Sequence, residues 1–176
     1  LRVLDGAVGV FCAVGGVEPQ SETVWRQGDR YGTPRIAFVN KMDRVEANFE
    51  GVVEEMRERL GANAVPVQIP IGAEDLHRGA IDLITMKAYV YKDDTMGAEY
   101  ILEDIPEDLQ EAAKKARHEL IERVAENDES IMELYIEDKE PDTEKLIAAI
   151  RKQTVGSQIV LCYAVQHLRT KGFNLF

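Results

Sequence analysis

The most constraining stretch in the chain is Ile36-Ala37-Phe38-Val39, followed at once by Asn40-Lys41-Met42-Asp43. Four apolar residues, two of them β-branched, predict a short strand buried on both faces, as in a parallel sheet. A polar cluster at its carboxyl end stands where open α/β sheets hold their ligands. The cluster suits a guanine base. The Asp43 carboxylate can accept from both the ring N–H and the exocyclic amine, a bidentate pair that adenine does not offer. Asn40 can donate to the N7/O6 edge and tie neighbouring loops together, while the stem of Lys41 lies against the purine face. Asn and Asp also favour ordinary strand-to-helix loops, so the motif needs its structural context.

That context extends on both sides. Val8–Val14 is a continuous apolar run that predicts a second buried strand. Gly15-Gly16 breaks it, Pro19 suits the first turn of a helix, and Gly32 ends that helix. Val24, Trp25 and Tyr31 are its expected core residues. Asn48 predicts a cap for a second helix, whose Phe49, Val52, Val53, Met56 and Leu60 recur at helical spacing before Gly61. Strand, helix, strand and helix with short loops make a parallel α/β arrangement over residues 1–65.

Past Val65-Pro66 the pattern changes. Strands are expected at Val67–Ile71, Ala80–Val90 (one bent strand) and Glu99–Leu102, then helices at about 106–126, 128–137 and 142–154. Leu109, Ala113, Ala116, Leu120 and Val124 give the first helix an apolar stripe. Strands followed by helices indicate an α+β insert spanning 66–157. A strand at Gln158–Cys162 then returns to the parallel sheet, leaving the insert hanging from one edge. The fold class is thus α/β, a partial parallel sheet with an inserted α+β subdomain.

The net charge of −11 is concentrated in that insert: residues 103–144 carry 16 acidic and 5 basic side chains, while the remainder carries 16 of each sign. Such a segment would be repelled by nucleic acid. It is either a solvated helical face or a patch that steers a basic protein partner. Cys12 and Cys162 lie in apolar runs without metal-ligand spacing and read as buried, reduced thiols of a cytosolic protein. His77, His118 and His167 are scattered and support neither a metal site nor a nucleophilic triad. No apolar run reaches the length of a membrane span.

Leu1–Ala7, Gly15-Gly16-Val17-Glu18-Pro19-Gln20, Asn40-Lys41-Met42-Asp43-Arg44 and Ile71-Gly72-Ala73-Glu74 together resemble bacterial elongation factor G. The resemblance runs to about Cys162 and takes in the acidic insert. It implies a parallel sheet of the P-loop GTPase kind and a ribosome-dependent GTPase that drives tRNA and mRNA translocation in the cytoplasm. Asn40, Lys41 and Asp43 would be its guanine-binding residues, GTP with Mg²⁺ the ligand of the complete protein, and the insert a contact for the ribosomal stalk protein. Two other readings remain open. One is an acidic stalk-binding module without nucleotide function. The other is a different translational GTPase, of the ribosomal-protection or release-factor-recycling type. Glu46 stands where the family usually has glycine, a departure expected to matter little.

No G-x-x-x-x-G-K-[ST] occurs in the chain, so the phosphate cradle, its lysine and the Mg²⁺-binding hydroxyl are absent from this sequence. The family's magnesium-binding Asp-x-x-Gly and catalytic histidine would precede Leu1, and the chain reads as part of a longer one. Alone it is expected not to hydrolyse GTP. The tail, Tyr163–Phe176, departs from the family pattern C-G-S-A-F-K-N-K-G-V-Q-P-L. Synonymous codons for Tyr163–Phe176, read from the third base, restore that pattern. A reading-frame slip between about Val160 and Tyr163 is therefore expected, and with it a tail that does not pack; a helix burying Leu168 and Phe173 would contradict it.

Overall fold

A computed structural model of the chain describes residues 4–91 and 99–165. It runs β1 (Ala7–Cys12), α1 (Pro19–Tyr31), β2 (Arg35–Asn40), α2 (Phe49–Leu60) and β3 (Ala64–Pro66). Four further strands follow: β4 (Gln68–Ile71), β5 (Gly79–Asp82), β6 (Lys87–Tyr91) and β7 (Tyr100–Glu103). Then come α3 (Gln110–Ala125), α4 (Glu129–Ile136), α5 (Thr143–Val155) and β8 (Val160–Ala164). The strands make two four-stranded sheets. One is parallel with order β1-β2-β8-β3; the other is antiparallel with order β4-β5-β6-β7. This is the α/β class expected from the sequence.

The helix ends follow local chemistry. Pro19 begins α1, where its missing N–H costs nothing, and Gly32 at φ 59° closes it, donating to the Asp29 carbonyl at 3.1 Å. The Asn48 side chain caps α2 by accepting from the Gly51 N–H at 2.9 Å, and Gly61 at φ 62° ends it. On α1 the buried seam is narrower than the sequence suggests. Trp25 is buried beside Phe11, whereas Val24 and Tyr31 are exposed. The Arg35 guanidinium covers the outer Trp25 face at 4.2 Å and donates to its carbonyl, so only the Trp25–Gly28 side meets the sheet.

One face of the parallel sheet is covered by α1 and α2. Phe11, Ala37, Val39, Ala64, Cys162 and Ala164 pack there with Trp25, Phe49, Val52, Val53 and Met56. The other face carries Ile36, Val65, Leu161 and Tyr163, which join Leu120, Ile121, Leu146 and Ile150 of the helices α3 and α5 in a single core. The insert therefore does not simply hang from an edge; its helices cover the second face of the sheet, because that face is apolar and must be buried. Arg57 of α2 pins this junction. It donates twice to the Ala64 carbonyl (3.1 and 3.0 Å) and pairs with Glu119 of α3 at 3.2 Å. Coverage stops short of β1. Val8 and Val10, in register with Ile36 and Phe38, remain 58% and 60% exposed, so β1 is buried on one face rather than two.

Two strand assignments change. Ala80–Val90 is a hairpin rather than one bent strand. Asp82 Oδ1 accepts from the N–H groups of Ile84 (2.7 Å) and Thr85 (3.0 Å), and Met86 at φ 54° reverses the chain. The returning strand β8 starts at Val160 and inserts between β2 and β3. Tyr163 and Ala164 also belong to it. The Tyr163 ring lies 5.2 Å from that of Phe38, and Ala164 is 2% exposed opposite Val39. The expectation that the chain stops packing at Tyr163 is thus corrected as far as Val165, whose N–H donates to the Val39 carbonyl at 2.9 Å. Backbone pairing is indifferent to side-chain identity, and an aromatic followed by a small residue suits the alternating faces. Leu168 and Phe173 lie outside the described residues.

Candidate guanine-binding site

The Asn-Lys-Met-Asp loop leaves the carboxyl end of β2 beside the exit of β1. The Ala13 N–H donates to the Asn40 carbonyl at 2.8 Å, and the Asn48 N–H to the Ala13 carbonyl at 2.9 Å, so β1 braces both ends of the loop. Asn40 uses its side-chain oxygen locally, accepting from the Lys41 N–H at 2.8 Å. Its amide NH₂ is the end left to donate. Lys41 has φ 68°, a left-handed conformation that turns the chain sharply and leaves the lysine exposed. Met42 then drops into the core at 1% exposure and anchors the loop. Asp43 follows, half-buried, with its Oδ1 fully buried and without a hydrogen-bond donor. A buried acceptor lacking a donor costs about 1–3 kcal/mol, and a ligand N–H would remove that cost.

A second loop, from the antiparallel sheet, packs on this one. Gly72 turns it at φ 76°, where a Cβ would collide with the Leu76 carbonyl oxygen. A 3-10 turn at Glu74–Leu76 follows. The Glu74 N–H donates to the Met42 carbonyl at 3.1 Å, and the Glu74 carboxylate accepts from the Glu46 N–H at 2.9 Å. Glu46 has φ 66°. The substitution expected to be inconsequential therefore puts a β-carbon in a left-handed position that favours glycine. His77 ends the loop, 6% exposed, with Nδ1 3.4 Å from the Gly72 carbonyl and Nε2 buried without a partner. Burial pulls its pKa below the ordinary value, against the Gly72 carbonyl and the negative charge of Asp43. Nothing in the sequence linked the two loops; Glu74 joins them through its bonds to Met42 and Glu46.

The two cysteines differ. Cys162 is buried, and burial pushes its thiol up to about 12. Cys12, opposite Asn40 in register, is half-buried, not buried as expected. Burial raises its pKa, but the N–H groups of Gly15 and Val14 and the charge of Lys41 outweigh this, and the thiol titrates below its ordinary value. Beyond it, Gly16 turns at φ 61° against Glu55, whose carboxylate accepts from the Val17 N–H at 2.8 Å. Among the described residues no group of three His, Cys, Asp or Glu side chains could hold a metal ion. His118 meets Tyr135 at 3.2 Å on the outer helices, and His167 lies outside the described residues.

A parallel sheet with helices on both faces and a polar loop at its carboxyl edge defines an open α/β ligand-binding architecture. The chain belongs to the elongation factor Tu GTP-binding domain family, whose profile matches residues 1–170. It is also similar to a protein of Thermus thermophilus solved by crystallography, with 26% identity and a TM-score of 0.80. That match covers 94% of this chain and 24% of the other, so this chain spans about a quarter of that protein's length. No helix among the described residues is long and apolar enough to cross a membrane.

Proposed function

We propose that this chain is the guanine-recognition half and acidic insert of a translational GTPase of the bacterial elongation factor G kind, acting on the ribosome in translocation. Asp43 reads the N–H donors of guanine, Asn40 donates to its carbonyl edge, and Lys41 covers the base. The observation that carries this reading is the Asp43 Oδ1, a buried acceptor without a donor at the carboxyl edge of the sheet. A guanine N–H is the group it lacks. The insert contributes a protein contact. The carboxylates of Glu122, Glu129, Glu133 and Glu144 are exposed on α3, α4 and α5, away from the apolar side that covers the sheet. That face suits a basic partner such as the ribosomal stalk protein.

An NMR titration of the intact chain with millimolar GDP or ADP tests base recognition. GDP should perturb the amides of residues 40–43 and ADP should not. Asp43→Asn should lose the GDP response and gain one to xanthosine diphosphate, because an amide NH₂ can donate to the second carbonyl of xanthine. Equal responses to GDP and ADP would refute the guanine assignment. For the insert, Glu129→Lys with Glu133→Lys should abolish salt-sensitive binding to the stalk protein while leaving the GDP response intact.

A further inference from the structure

Glu74, in the loop that leaves the antiparallel sheet, bonds the backbone of the guanine loop on both sides of Asp43. Its N–H donates to the carbonyl of Met42, just before Asp43, at 3.1 Å. Its carboxylate accepts from the N–H of Glu46, just beyond Asp43, at 2.9 Å. We propose that Glu74 is a positioning residue for base recognition: from the second sheet it clamps the segment Met42–Glu46 and so aims the Asp43 carboxylate. The proposal rests on the guanine reading above.

Asp43 has to present two acceptors to two parallel donors, a geometry that tolerates a displacement of only about 0.5 Å. Its own side chain does not hold it there, because Oδ1 is buried without a donor. The backbone must set its place. Within the guanine loop the backbone bonds are local turns, from the Arg44 N–H to the Lys41 carbonyl and from the Ala47 N–H to the Arg44 carbonyl, each at 3.1 Å. Met42, 1% exposed, anchors the side before Asp43. Arg44, Val45 and Glu46 on the other side are exposed and have no such anchor. The Glu74 carboxylate supplies one.

The clamp comes from a closed frame. The Leu76 N–H donates to the Ala73 carbonyl at 3.1 Å, and the N–H groups of His77 and Arg78 donate to the carbonyls of Glu74 and Ile71, both at 3.0 Å. The buried His77 seats this frame in the protein. Both loops also carry strain where they meet. Six non-glycine residues have positive φ among the described residues, and three of them are here: Lys41 (68°), Glu46 (66°) and Glu74 (56°). A β-carbon is disfavoured in that region, and such conformations persist where contacts over-determine them. For Glu46 and Glu74 those contacts include the bond between the two.

The bond to Glu46 is exposed, so water competes with it. Its effect is that of one net hydrogen bond, a roughly 3- to 10-fold change in an equilibrium constant. The clamp favours the base-binding place of Asp43, so a bound base favours the clamp by the same factor.

Two measurements on the intact chain decide the matter. The first needs no substitution: solvent exchange of the Glu46 amide, followed by NMR with saturating GDP or the same concentration of ADP. GDP should slow the exchange several-fold and ADP should leave it unchanged. An unchanged rate with GDP, while the amides of residues 40–43 respond, overturns the clamp and leaves base recognition standing. The second is GDP affinity for Glu74→Gly and Glu74→Gln. Glycine keeps the N–H that bonds Met42, suits the left-handed backbone and removes the carboxylate; glutamine keeps an acceptor oxygen at the same reach. The glycine variant should bind GDP roughly 3- to 10-fold more weakly even though its backbone strain is relieved, and the glutamine variant should stay within about twofold of the native chain. Native affinity in the glycine variant overturns the proposal, as does an equal loss in both variants. If the glycine variant does not fold, the exchange measurement decides alone. Absence of any GDP response in the native chain overturns base recognition, and the Glu74 proposal with it.

Discussion

Glu46 sits at φ 66° with its N–H committed to the Glu74 carboxylate, so the loop holds a β-carbon in a conformation that costs about 1–2 kcal/mol. Glycine at this position keeps the backbone donor and removes the clash. Glu46→Gly should raise the urea unfolding free energy by about 1 kcal/mol, reduced somewhat by the added freedom of the unfolded glycine. A loss of stability would show that the Glu46 side chain contributes more than the strain removes. Reactivity at the residue scale should separate the two cysteines. Near neutral pH, Cys12, half-buried and shifted down, should be alkylated well before Cys162, which burial holds near 12. Mass spectrometry after a brief iodoacetamide pulse distinguishes them, and equal labelling would contradict the packing of β8.

At the scale of elements, most boundaries are fixed by neighbours in sequence. Asn48, Gly32 and Gly61 act within one turn of their helices, and each was legible beforehand. The start of α4 follows the same local chemistry: Asp128 Oδ1 accepts from the N–H groups of Ser130 (3.0 Å) and Ile131 (3.1 Å). The Ser130 hydroxyl, helped by those N–H groups and opposed by partial burial, holds the Asp128 carboxyl below its ordinary value. A carboxylate whose folded pKa is depressed stabilises the fold above its unfolded pKa, about 3.9. That contribution is lost as pH falls through the folded value. Asp128→Ala should therefore cost about 1 kcal/mol at neutral pH, and the difference from the native chain should vanish in strong acid. A constant difference down to about pH 2 would assign the cost to something other than the charged cap. The hairpin at Leu83–Met86 was not legible, because Leu83, Ile84 and Met86 put apolar residues in a turn that the Asp82 side chain and the left-handed Met86 create.

For the whole molecule, the decisive fact is that the insert and the parallel sheet share a core, with Leu161 and Val65 of the sheet packed among Leu120, Ile121 and Ile150. That core ends before β1, and Val8, Val10 and Val14 stay exposed on or beside an edge strand. Exposed β-branched residues along a sheet edge promote association between chains. Val8→Thr with Val10→Thr should lower the self-association seen by analytical ultracentrifugation and leave the thermal midpoint within a few degrees, since neither side chain fills the core. A large drop in the midpoint would mean that these valines are buried.

Local sequence suffices for the strand–helix alternation, the helix caps, the acidic bias of residues 103–144 and the placing of Asn40–Asp43 after a buried strand. All of these are set by residues a few positions apart, through periodicity, φ preference and capping. Long-range packing was needed to put β8 between β2 and β3, to lay the insert helices over the second face, and to bring the Gly72–His77 loop against the loop that carries Asp43. Those outcomes depend on which apolar faces bury one another across long separations in the chain. Residue identity sets which surfaces must be buried, whereas the partner that buries each is chosen by the fold as a whole.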